Sequence, residues 1–399
     1  MTIRIDGGTV VGWSGTHHEL IPEGSVLIGG DVISYVGADR TKPADQIIDA
    51  SGKLVCPGFI NLHVHSQLNV GDYLITDATK RDYMSANFFV FGAPVKEKAA
   101  PPPPESIAVG RRYALFSALR NGATTILDPG GGPGDLGEYV ETVGEIGARV
   151  FFSPPFRSSD VFTDAEGRHY YEARPDGGRP GLQRAVDFVR KFHGAKNGRL
   201  QGILNPAQAE TCEPSLLKET AAAAKELGVP IHIHAAGNLR EFVHILYNYR
   251  KPVIQHLADA GILRPGTVLG HTVFIAGHSR VDFPFGDELK ILADSGASVG
   301  HCPHKYAKMA LAAESFDRYV EAGVNVALGT DTYPLDIISE MRYASLISRL
   351  VDSTRIDEAD LYARADAAAN RAWDNWPKRD WAGRSVEEIV PPAFPTRRG

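Results

Sequence analysis

Two histidines, His63 and His65, end a short apolar run over Pro57–His65. Residues two apart on a β-strand point to the same face, so both imidazoles can be directed at one point. Neutral imidazole is a good ligand for a divalent metal ion, but two half-exposed strand histidines are a frequent alternative. The choice between these interpretations depends on what the rest of the chain places beside this run.

From Glu105 onward, helical segments alternate with short apolar runs that end in His or Asp. The residues at the ends of these runs, with the first run included, are His63, His65, Asp128, His234, His271, His301 and Asp331. About eight strand–helix units predict an α/β protein with a (β/α)8 TIM barrel, whose active site lies at the C-terminal ends of the strands. An open doubly wound sheet is the alternative, but no Gly-x-Gly-x-x-Gly motif opens the first helix.

Outside the barrel pattern, residues 1–57 alternate apolar and polar residues and predict a small sheet, with strands over Thr2–Trp13, Gly24–Ala38 and Gln46–Val55. Residues 67–104 predict either a lid or a surface insertion packed by its own aromatics. Leu239–Ala260 is predicted as one helix. We therefore expect domain boundaries at 1–57, 58–375 and 376–399, the last being a tail without a full closing strand.

Composition excludes several classes of function. The net charge of −6 and the pI near 6.2 provide no basic surface for nucleic acid. The N-terminus has no apolar core of a signal peptide, and no run of about 18 apolar residues occurs. Three widely spaced cysteines indicate reduced thiols. We expect a cytoplasmic enzyme with a small-molecule substrate and no nucleic-acid or membrane partner, and a homo-oligomer is left open.

Four of the strand-end residues form a plausible metal site: His63, His65, His234 and Asp331. Three imidazoles and one carboxylate suit Zn²⁺ or another borderline divalent ion, with a position left for water. Asp331 can bind the ion and also accept a proton from that water. We therefore expect one divalent ion, zinc first and Fe, Mn or Co as alternatives.

The order of these motifs resembles the amidohydrolase superfamily, in particular its cytosine, guanine and triazine deaminases and chlorohydrolases. The motifs that carry the resemblance are Pro57–His65, Asn121–Thr125, His232–His234, Gly270-His271, His301–Pro303 and Ala327–Thr332. The resemblance implies a distorted barrel, a small β-sandwich built largely from the N-terminal segment, and the four ligands named above. It places His271 near the metal water as a second catalytic residue. Because Leu200–Thr211 contains no lysine that could bridge two metals, we expect one ion.

The sequence also departs from the deaminases of that family. Gly237 stands where they have a glutamate that carries a proton to the leaving nitrogen, and Lys305-Tyr306 replaces a common Ser-Asn pair. This favours hydrolysis of an amide, urea or carbamate-like bond, with His271, His304, Lys305 or Glu210 as the acid. Deamination or dechlorination of a nitrogen heterocycle and a non-catalytic metal-binding barrel are the alternatives.

Several residues near the predicted site have weaker assignments. His232 is expected to face away from the ligands, as a packing residue or a support for them, and Asp128 to cap a helix or serve the structure. The candidates for substrate binding are His301, His304, Lys305 and Gln208.

Overall fold

The computed structural model describes residues 1–66, 103–130, 135–163, 169–281, 283–308, 311–313, 315–332, 334–352 and 384–385. The predicted lid over 67–104 therefore lies almost entirely outside the described residues, as does most of the tail. None of the described helices combines the length and the hydropathy needed to cross a lipid bilayer.

The N-terminal segment forms a six-stranded sheet. Its strands are β1 (Thr2–Trp13), β2 (His18–Gly29), β3 (Val32–Gly37), β4 (Gln46–Asp49), β5 (Leu54–Val55) and β16 (Arg384–Ser385). The run expected as one strand over Gly24–Ala38 is two antiparallel strands, because the chain turns at Gly30, where φ is +64°. Two residues of the tail, in β16, pair with β3 and so return to this sheet.

Eight strands form two parallel four-stranded sheets. The first sheet contains β6 (Phe59–Asn61), β7 (Ala123–Asp128), β8 (Arg149–Phe152) and β11 (Leu200–Gly202), in sequence order. The second contains β12 (Ile231–Ala235), β13 (Thr267–His271), β14 (Ser298–His301) and β15 (Asn325–Leu328), also in sequence order. This regular order is the one that the repeated strand–helix pattern predicts for an α/β protein.

Helices follow most of these strands. They are α1 (Pro104–Arg120), α2 (Leu136–Ile146), α3 (Arg179–Phe192), α4 (Pro214–Leu227), α5 (Leu239–Tyr249), α6 (Val253–Asp259), α7 (Glu288–Ser295), α8 (Pro303–Lys308), α9 (Phe316–Glu321) and α10 (Ile337–Asp352). Side chains on or next to strands of both sheets, such as Leu62, Leu127 and Val268, pack on one another. The helices pack on larger apolar clusters, so both faces of the strands are buried.

Backbone hydrogen bonds join the outer strands of the two sheets. At one edge the Leu62 N–H donates to Leu328 O over 3.0 Å, and at the other the His232 N–H donates to Leu204 O over 2.9 Å. The Asn61 side chain strengthens the first junction. Its amide donates to Thr330 Oγ1 over 2.9 Å, and its carbonyl oxygen accepts from the Thr330 N–H over 3.1 Å.

One further local prediction was wrong, and one element of the fold was not predicted. The helix expected over Leu239–Ala260 is two helices, α5 and α6, because Arg250 takes a left-handed conformation and Pro252 has no N–H to continue the ladder. The antiparallel hairpin of β9 (Ser159–Thr163) and β10 (His169–Ala173) was not predicted at all. It lies between β8 and α3 in the chain.

We predict that Asn61→Ala destabilises the fold, because it leaves the buried Thr330 N–H without its partner. The expected loss is about 1–3 kcal/mol in the free energy of unfolding, measured by urea denaturation. Asn248→Ala is the matched control, since that exposed amide bonds, among the described residues, to the carbonyl and ring of His244 in its own helix and should change stability by less than about 0.5 kcal/mol. Equal stability of the two variants would contradict the role of Asn61.

Candidate active site

His63 is held in one orientation by its neighbours. It is fully buried, and its Nδ1 lies 2.9 Å from His232 Nε2. A Cβ added at Gly270 would lie 2.9 Å from the ring, and one at Gly329 would lie 2.7 Å from His63 Cβ, so both positions need glycine. With Nδ1 engaged, Nε2 is the nitrogen available to a ligand, and it has no hydrogen-bond partner among the described residues.

The expectation that His232 faces away from the ligands was wrong. Residues two apart on a strand share a face, so His232 and His234 both point inward from β12. His232 contacts the ring of His63, and burial holds the pKa of His232 well below its ordinary value. His232 therefore supports a candidate ligand from inside the strand array.

His65 and His234 meet in the same place. Their Nε2 atoms lie 2.9 Å apart, and their rings stack with centroids 5.0 Å apart. The His234 Nδ1–H donates to the Ala207 carbonyl over 2.7 Å, which leaves the Nε2 lone pair free in the neutral ring. Two ring nitrogens this close together can both bind one shared cation.

Asp331 completes the cluster from the end of β15. Its Oδ1 lies 3.9 Å from His63 Nε2 and 3.8 Å from His65 Nε2, while its Oδ2 lies 2.8 Å from Lys305 Nζ. Burial alone would raise the pKa of Asp331, but the ammonium group of Lys305 outweighs it and brings the pKa below its ordinary value. The carboxylate is therefore ionised.

His271 lies beside the carboxylate at the end of β13, with its Nε2 3.5 Å from Asp331 Oδ2. Burial lowers its pKa well below the ordinary value, so the ring is neutral. His271 and Asp331 both have positive φ, +81° and +62°, which is unusual for residues with a side chain. Strained backbone of this kind concentrates at functional sites, where surrounding packing holds it in place.

These residues fit a divalent metal ion. The donor atoms of His63, His65 and His234 lie within 4.8 Å of one another, and so do those of His63, His271 and Asp331. Burial lowers the pKa of His63 and His234 and takes that of His65 to about 3, so all three rings are neutral and offer lone pairs. Neutral imidazoles with one ionised carboxylate are the ligand state that binds zinc and similar ions.

The candidates for substrate binding separate into two groups. Lys305 contacts Asp331, and the backbone of Gln208 pairs with that of His234, so both lie at the cluster. His301 lines a small cavity with His271 and Phe316, and its ring lies 6.0 Å from that of Phe316. The His304 ring is stacked on Tyr343, and the His304 backbone N–H donates to Glu340 Oε2 over 3.1 Å.

Asp128 has a structural role. Its carboxylate accepts hydrogen bonds from Ser66, from Tyr139 over 2.7 Å and from the Gly130 N–H over 2.9 Å. Helix α2 is capped by Asp135 instead, so the prediction that Asp128 caps a helix was wrong. The alternative prediction, that Asp128 serves the structure, agrees with these hydrogen bonds. These contacts tie the residue after His65 to α2.

The turn after β12 contains a carboxyl group that sequence reasoning missed. Glu241 is buried and accepts from the N–H groups of Ala236 and Gly237 over 2.7 and 2.8 Å. Burial raises its pKa well above the ordinary value. The Asn-x-x-Glu spacing of Asn238 and Glu241 is a helix-capping pattern that signals this arrangement.

We predict that Gly270→Ala lowers metal affinity, because the new methyl group would displace the rigid ring of His63. We expect a loss of roughly tenfold or more in affinity, measured by competition with a chromophoric chelator. Gly300→Ala is the control: Gly300 is the directly paired residue on the neighbouring strand, and its Cβ would meet nothing closer than 3.6 Å. Equal metal affinity of the two variants would show that the ring position does not matter.

The comparisons with known proteins agree with this geometry. A relative from Halobacterium salinarum, named 5-methylthioadenosine/S-adenosylhomocysteine deaminase, is 28% identical over 383 residues, which cover 94% of this chain and 80% of that protein. The solved adenosine deaminase from Xanthomonas campestris, with bound zinc, is 19% identical with a TM-score of 0.69, covering 96% of this chain and 82% of that one.

A third similar protein is the atrazine chlorohydrolase from Arthrobacter aurescens TC1, solved in complex with zinc. It is 20% identical with a TM-score of 0.71, and the alignment covers 96% of this chain and 86% of that one. A family model described as the amidohydrolase family matches residues 54–368, which is most of the chain. The chain therefore belongs to the amidohydrolase family, and it is a metal-dependent hydrolase that acts on carbon–nitrogen bonds.

Proposed function

We propose that this hydrolase cleaves an amide, urea or carbamate-like bond of a small molecule. Its ligands for one divalent ion are His63, His65, His234 and Asp331, and zinc is the first candidate, ahead of Fe, Mn or Co. The observation that carries the proposal is the meeting of three neutral imidazoles and one ionised carboxylate in a buried cluster. Zinc is favoured because it is named in two of the similar solved structures.

The residues around the cluster divide the chemistry between them. A divalent ion held there supplies Lewis acidity, which makes a water molecule a nucleophile near neutral pH. Asp331 is ionised and buried, so its carboxylate can accept the proton that this water releases. His271, neutral and 3.5 Å from that carboxylate, is placed to polarise the substrate carbonyl and to return the proton to the leaving nitrogen.

Lys305 keeps the charge of this centre balanced. Its ammonium group lies against Asp331 Oδ2 and offsets the buried carboxylate. In this position it can also donate a hydrogen bond to a carbonyl oxygen of the substrate. This is the arrangement that stabilises negative charge on oxygen during hydrolysis of an amide or carbamate.

The preference for amide-type substrates comes from Gly237. A side chain at this position would lie 3.2 Å from the His271 ring and 3.3 Å from the Tyr306 hydroxyl. Because residue 237 is a glycine, it has no carboxyl group that could protonate a ring nitrogen, a step that deamination of a heterocycle needs. Deamination of an adenosine-derived compound is the second candidate, because the relatives with 28% identity have names that describe that activity.

We infer that the two four-stranded sheets form one closed eight-stranded barrel. The hydrogen bonds between β6 and β15 and between β11 and β12 support this inference. The proposed division of the chain is an N-terminal sheet over residues 1–57, which belongs to a β-sandwich, a barrel over 58–375 and a tail over 376–399. The pairing of β16 with β3 supports a contribution of the tail to the sandwich.

We predict that purified protein contains about one divalent ion per chain and that a chelator abolishes its activity. Asp331→Asn should keep some metal, because the amide oxygen can still bind, but should lose roughly 10²–10⁴-fold in turnover, since an amide is no base near neutral pH. Metal analysis and steady-state kinetics measure both effects. Near-normal turnover of this variant at full metal occupancy would contradict the mechanism.

We predict that a panel of amides, ureas, carbamates and amino-heterocycles yields turnover in the first three groups. Ammonia release from 5′-methylthioadenosine, adenosine or guanine should be slow, because residue 237 has no carboxyl group. Ammonia and product assays on the metal-loaded protein distinguish the two candidates. Efficient deamination of any of these rings would establish the second candidate in place of the first.

A further inference from the structure

A second polar cluster lies beside the metal centre, where the hairpin β9–β10 meets the start of α5. It consists of Tyr171 on β10, Glu210 after β11 and Arg240 in the first turn of α5. Arg240 Nη2 lies 3.2 Å from Glu210 Oε1, and the guanidinium lies 5.8 Å from the centre of the Tyr171 ring. The Tyr171 ring also packs on His244, with centroids 3.8 Å apart.

This cluster has more hydrogen-bonding groups than it has partners. Arg240 Nε and Nη1, the Tyr171 hydroxyl and Glu210 Oε2 are all buried without a hydrogen-bond partner among the described residues. The Glu210 side chain is completely buried, whereas that of Arg240 is 15% exposed. Buried polar atoms without partners are uncommon, and they call for a bound group that satisfies them.

The cluster is connected to the reaction centre through one turn. Gln208, two residues before Glu210, pairs with the candidate ligand His234. Glu241, the residue after Arg240, binds the N–H of Gly237, and Gly237 lies against His271, so that a Cβ there would be 3.2 Å from the ring. A substrate whose reacting bond lies at His271 would therefore extend toward Arg240 with its far end.

The pairing of Arg240 with Glu210 favours a neutral group at this far end. Arg240 is already paired with Glu210, and Glu241 adds a second buried carboxyl group beside it. The free donors, on Arg240 and Tyr171, outnumber the one free acceptor, Glu210 Oε2. A neutral group that is rich in acceptors and has one or two donors matches this set, and adjacent hydroxyls offer four lone pairs and two O–H groups.

We propose that Tyr171, Glu210 and Arg240 form a recognition subsite for a neutral, hydroxyl-bearing part of the substrate. The inference rests on the proposed function, since it assumes that the reacting bond lies at His271. Arg240 and Tyr171 donate to the hydroxyl oxygens, and Glu210 accepts from one hydroxyl. These residues bind and orient the substrate and take no part in the chemical step.

The test uses the full-length, metal-loaded protein and two nucleoside probes, inosine and 2′,3′-dideoxyinosine, which differ only in a pair of adjacent hydroxyls. Neither probe has an amino group to release, so calorimetry measures binding without turnover. We expect inosine to bind about tenfold or more tightly than the dideoxy compound, as for hydrogen bonds to charged groups. Tyr171→Phe and Arg240→Met should each reduce this ratio toward one.

Two matched controls separate recognition from general damage. Tyr170→Phe changes the neighbouring tyrosine, which stacks on Phe162 on the other face of the hairpin, and Arg190→Met breaks a surface pair with Glu226. Both controls should keep the full preference for inosine. Because Tyr171→Phe removes a single oxygen atom, it keeps the test valid if Arg240→Met fails to fold.

The outcomes also separate this inference from the proposed function. Equal binding of the two probes, no binding of either, or a preference that survives in Tyr171→Phe and in folded Arg240→Met would overturn the subsite. Failure of the amide panel with a retained, variant-sensitive preference for inosine would overturn the proposed reaction and leave the subsite in place.

Discussion

Two backbone hydrogen bonds between Asp331 and the segment that follows β6 are the constraint on which the site depends. The Asp331 N–H donates to His63 O over 2.9 Å, and the His65 N–H donates to Asp331 O over 2.7 Å. They place the carboxylate against both histidines although these residues lie at opposite ends of the strand array in sequence. The hydrogen bond from the Asn61 side chain to Thr330 stabilises the same junction.

Burial sets the chemistry of the cluster once that junction exists. Removing the imidazoles from water lowers their pKa and keeps them neutral, whereas the charge of Lys305 keeps Asp331 ionised. Neutral imidazoles packed beside one buried carboxylate cost folding free energy unless a cation binds among them. The dense packing around His63 also explains why two glycines lie against its ring and main chain.

The turn from Gly237 to Glu241 connects this cluster with the proposed recognition subsite. Gly237 lies close against His271, where a Cβ would be 3.2 Å from the ring, and Glu241 fixes the turn through two backbone N–H groups. Arg240 is thereby directed toward Glu210 and Tyr171. One short segment thus removes a proton carrier from the reaction centre and places a cation at the far end of the substrate.

The sequence alone determined the strand–helix alternation and the placement of His63, His65, His234, His271 and Asp331 at strand ends. These features follow from local periodicity and from the position of each residue on its own strand. Local patterns contain nothing about contacts between distant segments. Only the tertiary structure decided that His232 supports His63, that Lys305 pairs with Asp331, and that Tyr171 from an unpredicted hairpin meets Arg240, because these contacts depend on how separate strands and helices pack.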